Sequence, residues 1–217
     1  MFQNNLLMAA ARDVVPDAIV TYIGNHNDTS QSSSHTFTNK GVGTAADNRT
    51  VAVTAVTHAD SGVITGITCN GSAMTEKAYT SGESSEECGI WEFDLSAGTT
   101  ATFVVTSSNT AHRMNIGIWA LYGVGVANDT AVDAAQPFSQ SITLLGGGVA
   151  IAVSCNNGAT SAATWGSDFT ERYDTAVEPH TKASGADSTG GGSKTVSITW
   201  TGSAGLGALI AAAWPKG

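Results

Sequence analysis

Lysine and arginine are scarce in this chain, nine among 217 residues against eighteen aspartates and glutamates, for a formal charge of −9. Such a surface repels phosphate backbones, which argues against direct nucleic-acid binding. No apolar run approaches the length of a membrane-spanning helix, so no membrane span is expected. Cysteine is limited to Cys69, Cys88 and Cys155, an odd number at spacings that fit neither a disulfide framework nor a zinc site. These read as buried thiols of a protein made in a reducing compartment, with one Cys69–Cys88 bridge left sterically open. The motifs of familiar chemistry are missing as well: there is no G-x-S-x-G, H-E-x-x-H or C-x-x-C. The stretch GADSTGGGSK (Gly185–Lys194) lacks the phosphate-loop spacing and reads as a flexible hairpin turn. His26, His35, His58, His112 and His180 are never two or four residues apart, so no paired metal ligands share a strand or helix. Glu76, Asp94, Asp168 and Glu171 are carboxylates of the kind glycoside hydrolysis uses, but nothing singles out a pair. No catalytic residue, metal or cofactor is therefore expected, and no enzymatic activity.

What is present is period-two alternation of Val, Ile, Thr, Trp and Phe in short runs bounded by Gly, Asn, Ser and Asp, the pattern of an all-β chain. Trp91, Phe93 and Leu95 alternate with Glu92 and Asp94, predicting one buried and one wet face; Val196, Ile198 and Trp200 repeat the pattern. Along Met114–Tyr122 both faces are apolar, since Trp119 and Leu121 oppose Met114, Ile116 and Ile118, so this strand is expected to lie centrally. Gly146–Gly148 and Gly190–Gly192 read as tight connections. A helical turn is expected only within Met8–Val15, ended by Pro16. Trp91, Trp119, Trp200 and Trp214 all fall on core-facing positions, which leaves Trp165, beside the loop NNGATSAAT, as the candidate exposed aromatic of a ligand loop. The run ESSEE (Glu83–Glu87) reads as a solvated acidic loop, with a calcium site as the sharper alternative.

The two halves of the chain echo each other. TVAVTAV (Thr50–Val56) matches GVAIAVS (Gly148–Ser154), MTEKAY (Met74–Tyr79) matches FTERYD (Phe169–Asp174), and Trp119 matches Trp214, in the same order and at offsets of about 95 to 98 residues. Within TEK and TER, the carboxylate and the cation point to opposite faces of a strand, as cross-strand salt-bridge partners do. No polar or proline-rich linker separates the halves. The expected architecture is a docking arm over Met1–Ala18 and a single β-sandwich of jelly-roll type over Ile19–Gly217, with pseudo-repeats at about 35–123 and 138–215.

The arm lacks the cationic start of a secretory signal and reads as retained. Its Phe2, Leu6, Leu7 and Met8 are the candidate docking residues. Burying four such side chains contributes on the order of 6–10 kcal/mol before ordering costs. Several copies acting together would add avidity, which favours a symmetric homo-oligomer, a trimer or a form matched to a capsid axis.

The strings MFQNNLLMAAA, GIWEFDLSAGTTATFVVTSS, MNIGIWALYGV, GGVAIAVSCNNG and FTERYDTA together resemble small virion-associated accessory structural proteins of tailed phages and prophages of alphaproteobacteria. The resemblance covers most of the chain and carries over no functional residue. It implies a head decoration, head-fibre or tail-fibre component of the virion, synthesised in the host cytoplasm, whose partners are capsid, portal or neck, or tail proteins. The alternative is a receptor- or carbohydrate-binding module of a tail fibre, with a host surface glycan as ligand and contacts from the loops Asn25–Ser34, Glu83–Glu87 and Asn156–Trp165.

Overall fold

The computed structural model describes residues 16–58, 63–81, 86–111, 113–134, 136–157, 162–177, 181–201 and 207–217. Phe2, Leu6, Leu7 and Met8, the helical turn expected within Met8–Val15, and His112 and His180 lie outside the described residues. Among the described residues there is no helix, and every ladder is antiparallel.

The first half contributes β1 (Ile19–Asp28), β2 (Ser32–Gly41), β3 (Arg49–His58), β4 (Ile64–Cys69), β5 (Ser72–Ala73), β6 (Thr75–Ser81), β7 (Glu86–Asp94), β8 (Thr100–Ala111) and β9 (Arg113–Tyr122). The second contributes β10 (Asp129–Asp133), β11 (Phe138–Asn157), β12 (Ala163–Trp165), β13 (Thr170–Ala176), β14 (Thr181–Trp200) and β15 (Gly207–Trp214). Turn chemistry fixes some of the connections. Asn70 and Gly71 both adopt positive φ, 50° and 83°, and close the two-residue β4–β5 hairpin in the sense that matches strand twist.

These strands form three sheets, whereas a single sandwich has two. One has the order β1-β9-β3-β7-β6 and a second the order β2-β8-β4-β5. The third is β10-β15-β11-β14-β12, with β13 paired to the first part of β14. Read along that first part, the order β10-β15-β11-β14-β13 reproduces that of the first sheet strand for strand. The expected tight connections at the glycine triplets are corrected: both triplets lie inside the 20-residue strands β11 and β14, where the register slips between Leu144 and Gly148. Glycine is required there because the backbone turns a corner at positive φ, 76° at Gly147 and 109° at Gly190. One long strand pair thus does the work that β2, β3, β7 and β8 share in the first half.

Three hydrophobic clusters fill the layers. Val51, Val53 and Ala55 of β3 join Phe37, Phe103 and Trp91 between the two first-half sheets. Phe138, Ile142, Val196, Ile198 and Trp200 pack against Ala150 and Leu209 within the second half. Between the halves, Ala52, Val56, Trp119 and Leu121 meet Val149, Ile151, Val153, Ile210 and Trp214. β9 lies between β1 and β3 with both faces covered, as its sequence predicts: Met114, Ile116 and Ile118 point into one cluster, Trp119 and Leu121 into the other. The thiols of Cys69, Cys88 and Cys155 are free and buried. Cys69 and Cys88 belong to different clusters, whereas Cys88 lies beside Cys155 in the inter-half core.

Candidate functional site

The antiparallel pairing of β1 with β9 gives the body two poles. Ile19 opposes Tyr122 at one end and Asp28 opposes Met114 at the other, about 30 Å apart for a ten-residue strand. At the first pole, Ala18 is buried in the inter-half core and its amide donates to the Gly147 carbonyl at the glycine corner (2.8 Å), while Asp17 pairs with Lys216 (3.5 Å). The Tyr122 hydroxyl donates to the Thr44 carbonyl (3.0 Å), and Gly217 donates its amide to Gly123 (2.9 Å). These contacts leave a mainly apolar groove of about 520 Å³ whose walls include Pro16, Ile19, Asn48, Tyr122 and Val124. Ile19 is 57% exposed at its rim.

The second pole gathers the loop-bearing strand ends. Asn27 donates to the Ala176 carbonyl (3.0 Å) and accepts from Asn115 (2.7 Å), which ties β1, β9 and β13 together. The ladder sets His58 opposite both Arg113 and Glu86. The described parts of the three loops expected to form a contact surface are therefore at one end of the molecule. Some buried polar groups here are held by partners, whereas His35 Nε2 and Asn115 Oδ1 have no hydrogen-bond partner among the described residues. His35 Nδ1 lies 3.2 Å from Asp28, and His58 Nδ1 lies 3.2 Å from the fully buried Glu86. Burial pushes the Asp28 carboxyl upward, but the Ser30 amide and hydroxyl and His35 outweigh it and hold the group below the usual carboxylate range. Glu87 behaves oppositely: burial raises its pKa, and the Tyr79 hydroxyl and the Ile64 amide (2.8 Å) only partly offset this. Because its folded pKa lies above the unfolded one, Glu87 opposes folding once it ionises and is neutral in effect where both states are protonated. Glu87→Gln is expected to raise the melting temperature by a few degrees at pH 8 and to leave it unchanged at pH 3, as read by thermal unfolding at the two pH values.

Of the carboxylates considered for hydrolysis, Glu76 and Glu171 lie exposed on β6 and β13, and the two aspartates are used structurally. Asp94 accepts from the Thr50 hydroxyl (2.7 Å) and Asp168 from the Thr195 amide (2.8 Å). Among the described residues no group of three or more His, Cys, Asp or Glu side chains converges as metal ligands do. Trp165 is not an open platform. β12 pairs with β14 so that Ala163 and Trp165 face inward and Thr164 outward; the indole is 9% exposed, donates to Ser184 (2.8 Å) and lies against Phe169.

The most elaborate polar arrangement is not legible in the sequence as a unit. Lys77 and Arg172 each sit at a β-bulge, where an extra residue re-aims the side chain. Lys77 pairs with Glu92, and Arg172 grips Asp187 through Nε (2.7 Å) and Nη2 (2.8 Å). Each carboxylate also accepts an indole N–H from the opposite half: Trp119 donates to Asp187 (3.1 Å), and Trp214 donates to Glu92. The face of β7 expected to be wet at Glu92 is thus covered by the other half. The cations, acids and tryptophans all correspond at the same spacing of about 95 residues, which is the signal that could have found the pair. A polar cleft of about 210 Å³ opens over the second cluster, with Asp168, Arg172, Asp187, Ser188 and Lys194 in its lining. No family model matches the chain, and no curated protein does either.

Proposed function

We propose that this chain is a non-enzymatic structural protein of a tailed-phage particle, a capsid decoration or head fibre, docked through its apolar N-terminal arm. The finer architecture belongs to the same reading: two pseudo-repeated halves fused into one body of jelly-roll type, assembled as a homo-oligomer such as a trimer on capsid, portal, neck or tail proteins of the virion. The observation that carries it is the polarity of the body. The chain leaves the arm at Pro16 beside an apolar groove, while the loop-bearing strand ends gather about 30 Å away, a distance set by strand length. A surface component needs that arrangement, one end holding and the other facing out. Deleting Met1–Ala11 is expected to reduce incorporation into particles at least tenfold, as read by quantitative mass spectrometry of purified virions. Full incorporation of the truncated chain rejects the arm.

A second reading, a receptor- or carbohydrate-binding module of a tail fibre, draws on the polar cleft over Arg172 and Asp187. Copy number separates the two: tens to hundreds per particle favours decoration, and three to a few dozen favours a fibre.

A further inference from the structure

We propose that the cleft over Arg172 and Asp187 binds an acidic sugar, a ring that bears one carboxylate beside its hydroxyls. The proposal rests on the carbohydrate-binding reading and names the class of glycan. At about 210 Å³ the cleft is smaller than the sites of about 300–1,000 Å³ that enclose drug-sized molecules, so it suits one small polar ligand. Its walls are fixed before anything enters. Gly166 donates its amide to the Ser197 carbonyl (2.9 Å) and the Thr195 amide donates to Asp168 (2.8 Å), which pins the loop carrying Ser167 and Asp168 onto β14. Unused hydrogen-bonding groups in the lining then define the ligand. Ser188 is only 7% exposed, yet its hydroxyl bonds to no described residue, so it takes a partner from whatever fills the cleft. Lys194 makes no ion pair with a described residue, and Arg172 gives Nε and Nη2 to Asp187 and keeps Nη1. Those cationic donors call for an anionic group. Asp168, with one oxygen on Thr195, keeps the other to accept a hydroxyl and repels a bare phosphate or sulfate. A neutral sugar would leave the Lys194 charge unused, whereas a carboxylate and hydroxyls on one ring use every group.

The other half supplies an internal comparison. Ala73, Thr75, Glu92, Phe93 and Asp94 line a cleft of about 250 Å³, and the residues 95 positions later, Asp168, Thr170, Asp187, Ser188 and Thr189, line the second-half cleft. The same recess thus occurs twice, with different chemistry. The first-half lining holds two acids and no cation: Asp94 accepts from the Thr50 hydroxyl (2.7 Å), Glu92 accepts from Trp214, and Phe93 stands where Ser188 offers a hydroxyl. An anion is repelled from that cleft and received by the other, where Arg172 and Lys194 join the lining.

The test is an amide NMR titration of the full chain with the sodium salts of glucuronate, galacturonate, mannuronate and N-acetylneuraminate, with glucose, galactose and inorganic phosphate as comparison arms. At least one acidic sugar should bind with a Kd of about 1 mM, moving the amides of residues 166–172 and 187–194 and leaving those of 73–75 and 92–94 in place. Lys194→Gln should weaken that binding about tenfold or more, as loss of a hydrogen bond from a charged donor does, and Lys194→Arg should keep most of it, so that the loss reports charge and not fold. Phosphate that binds the cleft as tightly as the sugars, or sugar binding that Lys194→Gln leaves intact, overturns the proposal. Neutral sugars that bind the cleft while the acidic ones do not sink this inference and leave the carbohydrate-binding reading standing. Silence from every sugar rejects both at this cleft.

Discussion

Asp187→Ala is expected to destabilise the protein by about 3 kcal/mol, because breaking a buried ion pair from one side strands its partners. Asp187 is 2% exposed and holds two groups at once, the Arg172 guanidinium and the Trp119 indole N–H. Arg172 is 37% exposed, so its head can turn toward water and the loss falls at the low end of the range for buried pairs. Trp119 has no such freedom, being fully buried between the halves, and its orphaned N–H accounts for about 1–3 kcal/mol of that total. In a chain of this size the sum corresponds to a drop of about 6–12 °C in Tm. Glu92→Ala should cost less, about 1–2 kcal/mol, since Glu92 is 18% exposed against 2% for Asp187, so that water can take the place of its carboxylate. Combining Trp119→Phe with Asp187→Ala tests the cause. Once the indole N–H is gone, removing its acceptor should cost at least about 1 kcal/mol less than in the wild-type background. Equal costs in both backgrounds would show that the indole contact contributes nothing.

That cluster also marks how far the sequence can be read. Alternation places Trp91, Phe93 and Leu95 on one face of β7 and both apolar sets of β9 on their respective faces, because the side-chain period of a strand is 2 whatever the strand packs against. The same logic puts Glu92 on the other face but cannot say what covers it. That depends on one sheet docking onto another, and the partner, Trp214, is far away in the chain. Internal matching brings Lys77 and Arg172 into register and pairs Trp119 with Trp214, yet Glu92 and Asp187 go unmatched, since GIWEFD and SGADST share little besides the acid. The glycine triplets mislead for a related reason. A glycine needed for a corner inside a strand looks, in one dimension, like a glycine needed for a loop. Trp165 is misplaced because a three-residue strand is too short to display alternation.

Gly185→Ala tests the inter-half packing more severely than its size suggests. Tyr173 of β13 lies opposite Gly185 of β14, and its ring packs against Gly117 of β9 as well, so a residue of the second half is slotted between glycines of both. A Cβ at position 185 would overlap Tyr173 Cε1, lie 2.7 Å from Cζ and reach within 3.0 Å of Trp119. The ring cannot swing aside. Tyr22 and Trp119 pack on it at centroid distances of 6.0 Å each, and its hydroxyl shares a 3.1 Å hydrogen bond with Thr54, which also accepts the Gly117 amide. Overpacking a rigid core costs about 1–3 kcal/mol, and the fixed ring places this site at about 3. In the first half the corresponding pair is reversed, with Ala78 opposite Ile90, so the fold tolerates bulk on either strand but not on both. Tyr173→Ala should therefore relieve the clash. The double substitution is expected to be more stable than the sum of the single changes by at least about 1 kcal/mol, measured by urea unfolding. Strict additivity, or a Gly185→Ala cost under about 0.5 kcal/mol, would mean that the sheets can separate to admit a methyl group and that Tyr173 does not set their spacing.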